Sequence, residues 1–312
     1  MTRTYDKGLV EVGDGVFAYL QPDGGWGWSN AGLVSDGGSS LLVDTLFDMT
    51  LTREMLDAMS AVTGPAPIRT LVNTHANGDH CYGNAAVDAG EIIASEASAR
   101  EMDEVPAALL AGMVEMAPEM GDVGAYVARI FGPFRFTEVV PSSPTRTFTG
   151  SLQVAVGDLE VRLVEVGPAH TAGDVLVELP GRDTVFTGDI LFNGGTPVVW
   201  AGPFANWIAA CDRIIDGGWS TIVPGHGPLA TADDVRTLRG YLVWLLDEVR
   251  PRQASGMTVA ETIADIDLGP WAELGESERL AVNVDTAYAE LDPDHRRADV
   301  LTNFGRMAAL AR

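Results

Sequence analysis

Apolar and polar positions change rhythm several times along the chain. Short apolar runs bounded by glycine and aspartate at residues 15–20, 29–35 and 39–44 read as the strands of a meander. The spacing then lengthens. Over residues 48–63, Leu51, Met55, Met59 and Val62 recur at three- and four-residue steps, which places them on one face of a helix with Asp48 as N-cap and Gly64 as its stop. IRTLVNT (68–74) is again a continuous apolar run, a buried strand that delivers His75 at its C-terminal end. Residues 95–131 read as helical and Met-rich, with Met102, Met113, Met116 and Met120, interrupted at Pro106 and Pro118. Strands are expected within 146–166 and at 174–179, 184–187 and 220–223, with a helix over 204–215, so the strand-and-helix pattern occurs twice. After Pro228 the pattern is wholly helical. Val235, Leu238, Tyr241, Leu242, Leu245, Leu246 and Val249 make one apolar stripe that Pro251 is expected to end, with two or three helices following.

The 312 residues suffice for one large α/β domain with an appended helical part. A net charge of −24 repels phosphate backbones and anionic lipid, which argues against nucleic-acid and membrane partners and leaves a small-molecule substrate. No apolar stretch is long enough for a signal peptide or a membrane span, so a cytoplasmic location is expected. Lys7 is the sole lysine, so an anionic group on a substrate must be held by arginine, metal or backbone amides. Cys81 and Cys211 lack a CxxC spacing and read as reduced, buried thiols. Oligomeric state leaves no mark in the sequence.

The candidate chemistry lies in the histidines. Two of the five, His75 and His80, fall in THANGDH (74–80) beside Asn77 and Asp79. His170 in GPAHTAGD and His226 in PGHGP each follow an apolar strand, as do Asp189 in FTGDILF and Asp44 in LLVDT. Strand ends of an α/β sheet meet at one rim, so these side chains are expected to converge there. Imidazole and carboxylate are ligands for zinc and similar divalent ions. His295, in the charged stretch DPDHRR, reads as a surface residue.

THANGDH resembles the HxHxDH signature of the metallo-β-lactamase superfamily, and His170, Asp189 and His226 follow in that superfamily's order. The resemblance implies an αββα sandwich. Residues 1–230 would form the catalytic domain, with 95–131 a helical cap, and 231–312 an all-helical C-terminal extension packed on it. It implies one metal site at His75, Asn77 and His170 and another at Asp79, His80 and His226, bridged by Asp189, with Asp44 structural. Asn77 departs from the signature, which has histidine there. A neutral amide is a weaker donor than imidazole, so one tight zinc ion and a second, weaker one are expected, with iron or manganese as other candidate ions. The function implied is that of a metal-dependent hydrolase. The ion would activate water, Asp79 would orient it and relay its proton, and the substrate would be an ester, lactone, thioester, amide or related molecule. β-Lactamase and hydrolytic dehalogenase activities fall within that class. An iron-dependent redox enzyme or a non-catalytic binding protein on the same fold are the alternatives. Trp26 and Trp28 in GGWGWSN, together with Asn193 and Trp200, are the candidate substrate contacts, which would favour an apolar or aromatic substrate.

Overall fold

The computed structural model describes residues 5–311, so the first four residues of the stretch read for a signal peptide, and the outer limits of the two expected regions, lie outside the described residues. Two sheets form the centre. The first has the order β1 (Gly8–Gly13), β2 (Val16–Leu20), β3 (Ala31–Asp36), β4 (Ser39–Val43), β5 (Ile68–Val72), β6 (Glu91–Ser95) and β7 (Arg146–Phe148). It is antiparallel from β1 to β4 and parallel from β4 to β7. The second joins β8 (Ser151–Val156), β9 (Leu159–Glu165), β10 (Val175–Leu179), β11 (Thr184–Phe186) and β12 (Thr221–Val223), antiparallel except for the last pair.

Period-two alternation sorts the side chains between layers. Val16, Ala18, Leu41 and Val43 of the first sheet meet Val161, Leu163, Val175 and Val177 of the second in a buried core between the sheets. Their neighbours Tyr19 and Leu42 turn outward onto Met55 and Met59 of α1 (Met49–Thr63). Asp48 caps that helix, its carboxylate accepting from Leu51 N at 2.8 Å. At Gly32 the sheets approach so closely that a Cβ would lie 2.2 Å from the Phe186 ring. On the far side, Leu176, Val185 and Ile222 pack with buried residues of α6 (Phe204–Gly217) and α7 (Ala232–Ala254). Helix–sheet–sheet–helix layering is thus the observed architecture, with a helical C-terminal region.

The Met-rich stretch divides into α3 (Glu96–Glu101), α4 (Ala107–Met116) and α5 (Gly121–Phe131), with breaks at both expected prolines. Helices α8 (Val259–Asp265), α9 (Leu280–Leu291) and α10 (Val300–Leu310) complete the chain. Phe304 of α10 meets Tyr126 and Phe131 of α5 at ring separations of 6.1 and 5.8 Å, which ties the C-terminal helices to the Met-rich stretch. Two readings of the sequence are corrected. Strands β1 and β6 escaped the periodicity, because β1 is half-exposed at the sheet edge and β6 is five residues running directly into a helix. Helix α7 also does not stop at Pro251 but continues through it to Ala254. Only three residues of the helix follow Pro251, so the amide it lacks interrupts little of the ladder, and Arg252 Nη1 donates to the Glu248 carbonyl at 2.8 Å across the interruption.

Candidate metal centre

Short connections after strand ends bring the polar residues together. After β5 the chain passes through Thr74, His75 and Asn77 into the single turn α2 (Gly78–Cys81), which carries Asp79 and His80. His170 follows β9, Asp189 follows β11, and His226 follows β12. Asp189 is central. Its Oδ2 lies 3.3 Å from His170 Nε2, 3.4 Å from His226 Nε2 and 3.7 Å from His75 Nε2, while Oδ1 lies 3.1 Å from His80 Nε2. Asp79 Oδ2 is 3.3 Å from His226 Nε2 and 4.0 Å from His80 Nε2. Gly225 leaves room for this arrangement, since a Cβ there would lie 2.0 Å from Asp189 Oδ1.

Each imidazole is aimed from behind. His80 Nδ1 is 2.9 Å from Asp44 Oδ2, His75 Nδ1 is 3.0 Å from Thr74 Oγ1, His170 Nδ1 is 2.7 Å from the Val198 carbonyl, and His226 Nδ1 is 3.1 Å from the Gly24 carbonyl. Outer partners of this kind fix ring orientation and direct the other nitrogen inward. Asp44 itself is buried in a left-handed backbone conformation (φ 63°) and accepts from Thr74 N and Oγ1, both at 2.7 Å. The stretch before β3 holds the opposite side. Ser29 Oγ donates to the Asp79 carbonyl at 2.5 Å, and Asn30 Nδ2 donates to the Pro224 and Gly227 carbonyls at 3.0 and 2.8 Å.

His75 Nε2, His80 Nε2 and Asp189 Oδ1 are buried and without hydrogen-bond partners. Orphaned donors and acceptors that converge on one point are what a cation would satisfy, and the residue set fits that purpose. Two groups have ligand atoms close enough to share an ion, His75 with His80 and Asp189, and Asp79 with His80 and His226. His80 Nε2 is within reach of both groups.

Charge follows from the same geometry. Burial works against a charged imidazole, yet the Asp189 and Asp79 carboxylates raise His226 to about 9, and Asp189, Asp44 and Asp79 hold His80 well above its usual value. Burial dominates at the other two, pushing His170 down to about 4 and, with the His80 charge, lowering His75 as well. At neutral pH the metal-free centre thus carries protons on His80 and His226 but not on His75 or His170. Metal must displace those protons, so zinc affinity is expected to weaken as pH falls below about 9 and uptake at neutral pH to release protons. Calorimetry in buffers of different ionisation enthalpy measures the release, and uptake without protons at neutral pH would contradict the assignment.

Asn77 precedes α2 but leaves its side chain out of the helix cap. Its Nδ2 lies 3.0 Å from His170 Nε2, on the nitrogen that would otherwise face an ion. An ion using that nitrogen has to displace the amide. We therefore expect Asn77→His to tighten binding of a second zinc equivalent by about an order of magnitude. Two equally tight equivalents in the unaltered protein, or no second equivalent even in Asn77→His, would contradict this.

The cluster opens into a cavity of about 320 Å³. Trp26 and Trp200 are in its wall, together with Phe47, Phe131, Phe192 and Phe304, none of which the sequence had marked. Trp28 and Asn193 stand outside that wall. Trp28 packs on Phe134 at 4.9 Å, and Asn193 donates to the Pro228 carbonyl at 2.9 Å, so both serve the surrounding loops. Glu101 and Arg279 also line the cavity and were not anticipated, because each lies at an element end where no periodicity singles it out. Cys81 is buried, its thiol is pushed up by burial, and it donates to the Ala76 carbonyl instead of joining the cluster. His295 corrects the surface reading: it is half-buried, with Nε2 3.2 Å from Asp285 Oδ1, and takes no part in the centre.

Residues 24–226 match the family model of the metallo-beta-lactamase superfamily, a span that contains every residue of the cluster. The chain belongs to that superfamily. It is 26% identical over 231 residues to the 2,4-dinitroanisole O-demethylase subunit alpha of Nocardioides sp. (strain JS1661), a match covering 72% of this chain and 57% of that relative's length. Among solved structures it is similar to the inverting sec-alkylsulfatase Pisa1 from Pseudomonas sp., with TM-score 0.70 and 18% identity over 91% of this chain and 50% of that one. It is also similar to a metallo-beta-lactamase from Pontibacter korlensis, with TM-score 0.55 and 20% identity over 76% of this chain and 99% of that one. At these identities the structural likenesses show the metallo-beta-lactamase fold alone. Among the described residues no helix is long and apolar enough to cross a membrane.

Proposed function

We propose that this chain is a metal-dependent hydrolase, with zinc as the ion that best suits its nitrogen and oxygen donors, acting on a small apolar or aromatic ester, lactone, thioester or amide. The observation that carries the reading is the junction of the two features above. Buried His and Asp groups converge on one face of a cavity whose remaining walls are largely aromatic and aliphatic. His75, Asp79, His80, His170, Asp189 and His226 would hold the ion or ions, and Asn77 is the point where one site is weakened. When bound, the ion supplies a nucleophile from water at neutral pH and draws electron density from the bond under attack.

The protein's own groups do the rest. Asp79 lines the cavity and carries a carboxylate able to orient water and accept its proton. Trp26, Phe131 and Trp200 hold the substrate's apolar body and exclude bulk water from the reacting bond. A second reading is hydrolysis of an electron-poor aryl ether. The aromatic wall and the similarity to an O-demethylase subunit favour it. A panel of chromogenic aryl esters, thioesters, lactones and β-lactams, with 2,4-dinitroanisole included, tests both readings. Chelator-sensitive turnover restored by zinc is expected on at least one aromatic member. A fully metal-loaded protein inert toward the whole panel would refute the first reading, and inertness toward the ether alone would refute the second.

A further inference from the structure

Among the described residues Arg279 is the one arginine in the cavity wall, and no lysine joins it there. It ends the single turn Ser277–Arg279 that leads into α9, well outside the span matched by the family model. The side chain is 1% exposed. Its guanidinium carbon lies 4.3 Å from the Trp26 ring centroid and 5.1 Å from that of Phe192, and Nη1 donates to the Thr196 carbonyl at 2.8 Å. Its Nε is buried with no hydrogen-bond partner.

No carboxylate among the described residues is in ion-pair contact with this charge; Glu276 comes near, its Oε2 and Arg279 Nη1 lying 3.3 and 4.0 Å from where a Cβ on Gly195 would stand. The adjacent Glu278 is turned elsewhere, accepting from Tyr126 Oη at 3.1 Å and Trp26 Nε1 at 3.4 Å, with Arg129 Nη2 at 3.6 Å. Of the four carboxylates in the cavity wall, Asp79 and Asp189 face the histidine cluster, Glu101 accepts from Ala172 N at 3.0 Å, and Glu104 makes no ion pair with the arginine. Flanking rings stabilise a buried cation only in part. A guanidinium held out of water, with no carboxylate in contact and with a donor unused, is unfavourable in the free protein and becomes more favourable when an anion completes it.

We infer that Arg279 is the anion-binding residue of this cavity, receiving a carboxylate or sulfate-like group of the substrate while the aromatic walls hold its apolar remainder. The inference rests on the reading of the cavity as a substrate site and names the class of substrate: a small aromatic or aliphatic acid derivative with one anionic group. Phe192 sets the distance. Its ring stacks on His226 at 5.1 Å and an interplanar angle of 6°, and the guanidinium lies over the same ring, so one aromatic ring separates the anionic group from the metal centre.

The test is binding, not turnover. Metal-loaded protein is titrated calorimetrically with phenylacetate, phenylmethanesulfonate and the neutral phenylacetamide. At least one anion is expected to bind about tenfold or more tightly than the amide, in line with a charge-assisted pair, and comparing the two anions shows whether planar carboxylate or tetrahedral sulfonate fits better. Arg279→Gln should abolish the preference while phenylacetamide affinity and metal content stay as before. If that variant does not fold, Arg279→Lys, which keeps the charge but loses the fork, should reduce the preference severalfold. No preference in the unaltered protein, or an undiminished one in the folded variant, would overturn the inference. Because no catalysis is required, a binding preference without turnover would refute the hydrolase reading alone.

Discussion

Asp189→Ala is expected to leave a folded protein that retains almost no zinc and turns over substrate slower by on the order of 10³-fold or more, the equivalent of several kcal/mol of lost electrostatic stabilisation. The size of the effect follows from where the carboxylate sits. Among the described residues Asp189 is the one side chain with oxygen atoms within 3.7 Å of the inner nitrogens of His75, His80, His170 and His226, so its removal takes the shared anion from all four imidazoles. Metal content by mass spectrometry, together with kcat/KM on whichever substrate the panel identifies, reads both consequences. Circular dichroism guards against plain unfolding. A variant that keeps full metal content and near-normal turnover would show that Asp189 does not organise the centre.

The second large effect is expected one layer further out. Asp44 stands behind His80 and outside both candidate ligand groups, yet Asp44→Ala should weaken zinc binding by about 10- to 100-fold, the usual consequence of removing the partner behind a ligating histidine. Its carboxylate is the acceptor for His80 Nδ1, Thr74 N and Thr74 Oγ1, so the alanine variant leaves buried donors unpaired and should also be less stable, by roughly 1–3 kcal/mol for each such donor. Asp44→Asn preserves the shape but loses the charge behind His80, and a smaller loss of affinity is expected. Zinc titration and thermal unfolding of both variants give the ranking, and an alanine variant with unaltered affinity would contradict the role assigned here.

Much of this arrangement was legible in the sequence because its signals were local. Asp48 announced the start of α1, and the three- and four-residue steps of Met55 and Met59 announced its buried face, since capping and helical periodicity act within a few residues. THANGDH, with His170, Asp189 and His226 each placed after an apolar strand, announced the cluster because strand ends meet at one rim. What stayed hidden depends on distant contacts. Phe47, Phe131 and Phe304 come from three separate parts of the chain and become a cavity wall only through the packing of α5 and α10 beside the rim. Trp28 and Asn193 looked equally suited to a substrate, but tight glycine-containing loops turn them onto Phe134 and Pro228. The continuation of α7 past Pro251 was a matter of degree, set by how late in the helix the proline falls.

The polar face of α9 gives the C-terminal region a part in the chemistry. Asn283 accepts from Val199 N at 2.8 Å and donates to the Pro197 carbonyl at 2.8 Å, and Thr286 donates to the Val199 carbonyl at 2.7 Å. The backbone held this way includes Val198, whose carbonyl aims His170, and Trp200 of the cavity wall. The tolerance of this protein to sequence drift therefore does not follow the boundary of its catalytic family. A change at Asn283, far along the chain from every candidate ligand, falls two contacts away from His170, and recombination that grafted another helical tail after the last strand would inherit the ligands without the support that points one of them inward.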